Sequence, residues 1–335
     1  MVKNVAGRKL LLIILAAWAT CLILPAQDTS AVRTSLVPKI SGILKTKVEY
    51  DLDNMLMRFE VRNARFGVQG NINDFMSYKL QIDLSDEGQM KMLDAYVRFT
   101  PVTNLNFYIG QRKIPFSSDY MRSPAENIFA NRSFLAKYIN KGMRDIGLYA
   151  EYSFQGQIPV SVVAGALNGT GNNNPQWISR PNLAARIAAG RDDGFRVTGN
   201  VYYGDNSLQH QLAMFGGEVR YGRGQFFVES EYITRTWNDT LSVRQHDDGM
   251  YIHAYYNFLT DSKMIKMITP VARYDMMGGS VLRGSTDATR FTCGVNIGFA
   301  TKQFSSEIRF NYENYFKSSL PIHTDKVTLE FVGKF

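Results

Sequence analysis

From Leu44 to the terminal Phe335, apolar and polar residues alternate with a period of two, interrupted at intervals by short polar or Gly-rich stretches. That period sends successive side chains to opposite faces and predicts β-strands with unlike sides. The last ten residues, KVTLEFVGKF, set Val327, Leu329, Phe331, Gly333 and Phe335 against the mostly polar Lys326, Thr328, Glu330, Val332 and Lys334. The first strand runs from Leu44 to Leu52, with Lys45, Lys47, Glu49 and Asp51 on its polar side. The second, Met55 to about Val68, changes parity near Asn63-Ala64, which predicts a bulge. Further segments follow around Tyr78–Leu84, Leu93–Phe99, Leu105–Ile109, Ile146–Phe154, Ile158–Ala166, Leu183–Ala189, Phe195–Tyr203, Ala213–Tyr221, Phe226–Thr234 and Met250–Phe258. Met267–Met276 is a weak strand because Lys266 and Pro270 spoil its apolar side, and Phe291–Phe299, Ile308–Tyr312 and the C-terminal run complete a set of about sixteen.

The connections add a second regularity. QGQ, GRDDG and GRG are compact, whereas NGTGNNNPQWISRPN, RTWNDTLSVRQHDDG and MGGSVLRGSTDAT lie between them and are long. Tight turns alternating with longer loops are the mark of a transmembrane antiparallel β-barrel, with turns on the periplasmic side and loops outside. The predicted fold is therefore all-β, a closed barrel with both ends in the periplasm and its apolar face on lipid. Tyr50, Phe99, Tyr152, Phe154, Tyr203, Phe258, Phe299 and Phe335 fall near strand ends, where aromatic girdles sit. The assignment of faces is not symmetric: turned outward, Arg58 or Arg309 would each cost about 2–4 kcal/mol near the membrane midplane.

The front of the chain reads differently. Lys3, Arg8 and Lys9 precede the apolar run LLLIILAAWATCLIL and the small-residue segment LPAQD, the pattern of a secretory signal peptide cleaved after Ala26. Residues 1–26 are thus the signal, 27–39 a periplasmic extension and 40–335 the barrel. Of the formal +8 charge, three cations belong to the signal, leaving +5 and no reason to invoke nucleic acid. Cys293 is the one cysteine left after cleavage, so the exported chain has no internal disulfide.

Periodicity drops out over Arg112–Asp145, by parity the third outward-facing loop, apart from a short helical stretch expected after Pro124. A loop of this length with such aromatic content is expected to fold inward and narrow an aqueous pore. Its cations are Arg112, Lys113, Arg122, Arg132, Lys137, Lys141 and Arg144, against Asp119, Glu126 and Asp145, a net +4. A positive constriction between low-dielectric walls concentrates anions and repels cations. The pore wall contributes Arg58, Arg62, Lys79 and Arg98 from early strands, with Glu218, Glu229, Glu231, Glu307 and Glu313 among the later ones. Most wall charges are expected to pair with one another.

Within this region LDAYVRFTP (Leu93–Pro101), NLNFYIGQRKIPFSSDY (Asn104–Tyr120) and NRSF (Asn131–Phe134) resemble the phosphate-selective porin O and P family, in the form found in Bacteroidetes outer membranes. The resemblance implies a homotrimeric sixteen-stranded porin whose pore loop supplies lysines and whose wall carries an arginine ladder. Residues in the matching motif are Arg112, Lys113, Pro115, Phe116, Ser117 and Arg132; Lys137 and Lys141 follow from position. Implied partners are small anionic or polar solutes, membrane lipid and lipopolysaccharide.

The main alternative is a barrel enzyme, a lipase or protease; a structural barrel or adhesin is another. The chain has four histidines. His210, His246 and His323 fall in predicted loops, and His253 shares the lumen face with Tyr251 and Tyr255 as a hydrogen-bonded structural residue. No catalytic constellation, metal spacing or cofactor motif is apparent.

Overall fold

A computed structural model describes residues 36–86, 88–139, 144–205, 211–239, 241–300, 305–318 and 324–335. The expected signal peptide and most of the expected 27–39 extension lie outside these, as do Lys141, His210 and His323.

The strands are β1 (Lys39–Asp51), β2 (Leu56–Asn71), β3 (Met76–Asp86), β4 (Gln89–Val102), β5 (Leu105–Lys113), β6 (Arg144–Phe154), β7 (Val160–Leu167) and β8 (Asn182–Gly190). They continue as β9 (Phe195–Asp205), β10 (Gln211–Arg223), β11 (Phe226–Asn238), β12 (Arg244–Tyr256, resuming at Phe258–Leu259), β13 (Met267–Gly278), β14 (Ala288–Ala300), β15 (Ser305–Ser318) and β16 (Lys326–Lys334). Each pairs antiparallel with its sequence neighbours, and β1 pairs with β16, Ile43 facing Lys334 and Tyr50 facing Val327. The sheet therefore closes on itself as a sixteen-stranded barrel. Closure leaves no unpaired edge, which hydrocarbon would not tolerate. The terminal residue takes part: Gly42 and Phe335 exchange backbone hydrogen bonds of 2.9 and 3.1 Å.

The faces sort as their polarity requires. Outward, Phe59 is 77% exposed and Phe215 58%, and Leu80, Ile109, Phe310 and Leu329 are likewise exposed. Inward, Arg290, Arg309, Glu231, Glu313 and Glu330 are buried almost completely. A water-soluble protein has the reverse arrangement, so the apolar exterior has lipid as its solvent.

Several boundaries differ from expectation for identifiable reasons. The β1–β2 register passes from Lys45 facing Asn63 to Thr46 facing Val61, so the bulged residue is Arg62, just before the predicted position. In β12 the register is continuous across the break, Tyr255 facing Val271 and Phe258 facing Ile268, which sets Tyr256 opposite Pro270. Proline lacks the N–H that the ladder needs there. The stretch RTWNDTLSVRQHDDG is mostly strand rather than loop: Arg235 faces Asp247, bonds it at 2.6 and 3.0 Å, and stacks 4.5 Å from the Trp237 ring. The first two outward connections, 52–55 and 87–88, are tight, so the inequality of loop lengths rests on the later ones. In the long loop, a single helical turn at Ser118–Met121 precedes Pro124 and another at Leu135–Ile139 follows it.

Gly110, inside the YIGQRK motif, has φ 125°, and a Cβ there would lie 2.2 Å from the Ala95 carbonyl oxygen of β4. Gly194 lies in a turn where a Cβ would meet nothing closer than 3.8 Å. Gly110→Ala is expected to destabilise the barrel by about 1–3 kcal/mol. The check is the temperature at which the compact gel-mobility form is lost, with Gly194→Ala as the control that leaves it unchanged.

Candidate functional site

The chain between β5 and β6 turns into the lumen. Ile114, Phe116, Phe134, Leu135 and Ile139 are buried there in one cluster with Tyr149, Leu167, Tyr202, Met214, Ile233 and Met277 of the wall. Burial of each large side chain contributes about 1.5–3 kcal/mol relative to exposure, so the loop rests on an apolar core of its own. Gly249 of β12 makes room for it: a Cβ at that position would lie 2.9 Å from both Ile139 Cδ1 and Leu135 Cδ2.

The loop backbone is held by polar wall residues. Arg309 donates to the carbonyls of Pro124 and Ala125 at 3.4 and 3.1 Å. Asn296 donates to Ile128 (2.7 Å), Lys45 to Ala130 (3.3 Å), and Arg290 to Arg132 (2.9 Å). Arg273 reaches Asn131 at 3.1 Å, and Arg235 reaches Tyr138 and Ile139 at 3.3 and 3.0 Å. Carboxylates serve the opposite polarity, with Asp275 accepting from the Phe134 N–H at 3.2 Å and Glu231 from that of Ser118 at 2.8 Å. Each wall cation also keeps an acid: Arg290 and Arg273 share Asp275, and Arg309 pairs with Glu307 and Glu330. These clasps link the loop to β1 and to strands from β11 onward, and Arg186 of β8 and Glu218 of β10 add bonds to the Ser118 hydroxyl.

The cations predicted for the constriction fall into distinct settings. Arg112 is on β5, not in the loop; its guanidinium sits 4.0, 5.2 and 5.8 Å from the rings of Tyr108, Tyr149 and Tyr96, and 3.7 Å from Glu151. Lys113 ends β5 and donates to the carbonyls of Tyr120, Met121 and Arg122 at 2.8–2.9 Å, tying off the end of the helical turn. Arg122 pairs with Glu229, and Arg132 with Asp119 at 3.7 Å. Arg144 opens β6 and pairs with Asp94 at 3.0 Å. Burial alone would raise the Asp119 carboxyl, but Arg132, Arg122 and Arg273 together hold it well below the usual carboxylate range. Lys137 differs from the rest: it is exposed to the lumen, above the Tyr138 ring at 5.2 Å. The enclosing wall, aided by Lys326 and Arg290, lowers its ammonium to about 8.

The wall cations all lie on the polar side of β2–β4. Arg58 pairs with Glu49 and Glu60, Arg62 with Asp86 at 2.8 Å, and Lys79 with Asp94 at 2.8 Å. Arg98 bonds the Ser77 hydroxyl at 2.9 Å, and among the described residues no carboxylate pairs with it. His253 is buried, stacked on Tyr251 at 5.3 Å and edge-on to Phe129 at 5.7 Å. Sequence reasoning did not connect Glu218, Glu229 and Glu231 with the loop, and it missed Arg273 and Asp275. The last two stand on alternate positions of β13, a signal that Pro270 obscured.

A closed barrel with an inward-folded loop and a charged lumen defines an outer-membrane channel of the porin class. Residues 46–207, from β1 through β9, match the family model described as phosphate-selective porin O and P. Over that span the chain is similar to this family. No curated protein sequence matches the chain. Among solved structures it is similar to the anion-selective porin from Comamonas acidovorans (7% identity, TM-score 0.62, covering 89% of this chain and 98% of that one). It is also similar to a loop L8 deletion mutant of OmpT, an outer membrane protein of Vibrio cholerae (12%, 0.60, 89% and 98%). A third is the outer membrane channel DcaP of Acinetobacter baumannii (12%, 0.58, 93% and 100%). At these identities the likeness is one of fold.

Because the Lys137 ammonium is lowered to about 8, it is charged below that pH and neutral above it. The lumen accordingly loses a positive charge as pH rises from 7 to 9, and the anion-to-cation permeability ratio should fall. Reversal potentials in a KCl gradient at the two pH values measure this, and Lys137→Gln should remove part of the fall.

Proposed function

We propose that the protein is a passive-diffusion porin for small hydrophilic solutes with a preference for anions, phosphate among them, and that it is not an enzyme. The observation that carries the preference is where the clasps leave space. The loop is fastened toward β1 and β8–β15, so the water path runs between it and the wall of β2–β5. That wall presents Arg58, Arg62, Lys79, Arg98 and Arg112. Lys113 closes the end of that wall, and Arg132 stands on the loop, feeling the charge of Arg62. Many of these cations have acidic partners, which tempers the preference. Arg98, which among the described residues is bonded to a hydroxyl and to no carboxylate, supplies most of it, with Arg112 partly offset by Glu151 at 3.7 Å. The constriction set is then Arg112, Lys113, Arg122, Arg132, Lys137, Lys141 and Arg144, with Arg122, Arg132 and Arg144 acting chiefly as struts.

Homotrimeric assembly fits the same reading. One neighbour, the in-vitro folded OmpT of Vibrio cholerae, is described in a trimer form. An exterior as apolar as this one would have lipid, lipopolysaccharide and sister subunits as its surroundings. A secretory leader at residues 1–26 would deliver the chain for export.

Single channels in planar bilayers are expected to show stable conductance with a reversal potential on the anion side. Arg98→Glu changes two unit charges in a low-dielectric-walled pore and should lower the anion-to-cation ratio by about twofold or more. Folded protein that carries no ion current would refute the channel, and an unaltered ratio in Arg98→Glu would remove Arg98 from the path. Hydrolysis of lipid or peptide above that of an inert barrel would reinstate the enzyme alternative.

A further inference from the structure

Most clasps on the loop are wall donors bonded to loop carbonyls, and they are distributed over several strands. The turn Ser117–Asp119 is held differently. Glu231, fully buried on β11, accepts from the Ser118 N–H at 2.8 Å, the Asp119 N–H at 3.2 Å and the Ser117 hydroxyl at 3.2 Å. The Tyr251 hydroxyl lies 3.2 Å away and donates its one proton to Glu229 at 2.6 Å. Among the described residues no Lys, Arg or His forms an ion pair with Glu231. Beside it, Glu218 accepts from the Ser118 hydroxyl while pairing with Arg186 and Arg196.

A carboxylate engaged by neutral donors from one turn does not balance a charge. It fixes a shape, because its oxygens accept only where those N–H groups converge. The turn needs such a hold: Ser117 lies in the left-handed region, φ 62°, where a residue with a Cβ seldom stays unless its surroundings require it.

What the turn carries links this seat to the water path. Asp119 accepts from the Ser133 N–H and hydroxyl at 3.0 and 2.5 Å and pairs with Arg132. The carbonyls of Tyr120, Met121 and Arg122, which follow the turn directly, hold the Lys113 ammonium. A continuous series of contacts thus runs from Glu231 through Ser117–Asp119 to two cations, Arg132 on the loop and Lys113 at the end of β5.

We propose that Glu231 is a positioning residue: by seating the Ser117–Asp119 turn it fixes where Lys113 and Arg132 stand, and so sets the conductance level and ion preference of a channel whose solutes it does not touch. The inference rests on the anion-preferring channel argued above.

Charge alone predicts the opposite outcome from the seat, which makes the two separable. Glu231→Gln removes a negative charge from the lumen and by electrostatics should increase anion preference. An amide, however, offers only one acceptor oxygen, and because Ser118 and Asp119 donate to different carboxylate oxygens its NH2 group must oppose one of the two N–H donors. The experiment is planar-bilayer recording of Glu231→Gln after its compact unheated gel mobility has been verified. The expected result is several sublevels in place of one conductance level, with the anion-to-cation permeability ratio lowered at least twofold. One discrete level, with the ratio unchanged or moved toward anions, would overturn the proposal. If Glu231→Gln does not assemble, Ser117→Gly combined with Ser118→Ala leaves the carboxylate in place, removes two hydroxyl donors and tolerates the left-handed turn. Sublevels are expected there too, and wild-type traces would overturn the seat. Wild-type protein without current would instead sink the channel reading itself.

Discussion

Backbone N–H and C=O groups crossing a bilayer have no water to bond, and the pairing of β1 with β16 answers that constraint. Once the sheet is closed, every strand has one face in hydrocarbon and one enclosed. Charged side chains that would be costly on the first face are confined to the second, which explains buried Arg290, Arg309, Glu313 and Glu330 in a protein with exposed Phe59 and Phe215. A wall so polar is in turn able to hold a loop by its backbone. The Arg309, Asn296, Arg273 and Arg235 donors satisfy loop carbonyls that a helix or sheet would otherwise have to satisfy. Closure, the inverted faces and the fastened loop follow from one another.

The pairings also separate formal charge from charge that a solute can feel. The loop's net positive balance looks like a ring of free cations when read along the chain, yet Arg122, Arg132 and Arg144 each face a carboxylate, and the Lys113 ammonium is taken up by three carbonyls. Desolvating an ion pair yields little stability over an apolar pair of the same shape, but removing one partner strands the other. Such residues are therefore better understood as fixing geometry, and ion preference falls to the few cations, such as Arg98 and Lys137, with weaker compensation.

How far the sequence revealed this depends on the range of the interaction. A period of two is local, so strand number, the outward face and the inner position of Arg58, Lys79 and Arg98 were legible from residues two apart. The bulge was legible too, displaced to Arg62 because parity changes only after the extra residue has passed. The clasps were not legible: Arg309 and Ala125 are 184 residues apart, and Glu231 and Ser118 are 113 apart. No short-range pattern encodes such pairs. Pro270 made β13 a weak signal by interrupting the apolar alternation, although the strand is fully paired on its other side with β14. The RTWNDTLSVRQHDDG stretch misled in the opposite sense, since polar residues that suggest a loop are also what a strand carries once it rises above the hydrocarbon.

An aperture can select only if its walls hold still. A segment running from Ile114 to Ile139 has large conformational freedom, and hydrogen bonds alone, each worth about 1 kcal/mol net, would restrain it weakly against water that competes for the same groups. The buried Phe116, Phe134, Leu135 and Ile139 change that balance, because the wall recedes at Gly249 and supplies Ile233 and Met277 to receive them. The loop thus brings a hydrophobic core into a water-filled barrel, and polar clasps then decide its register rather than its existence. Apolar burial holds the loop against one side, and the remaining side, by default, is the path that charge can shape.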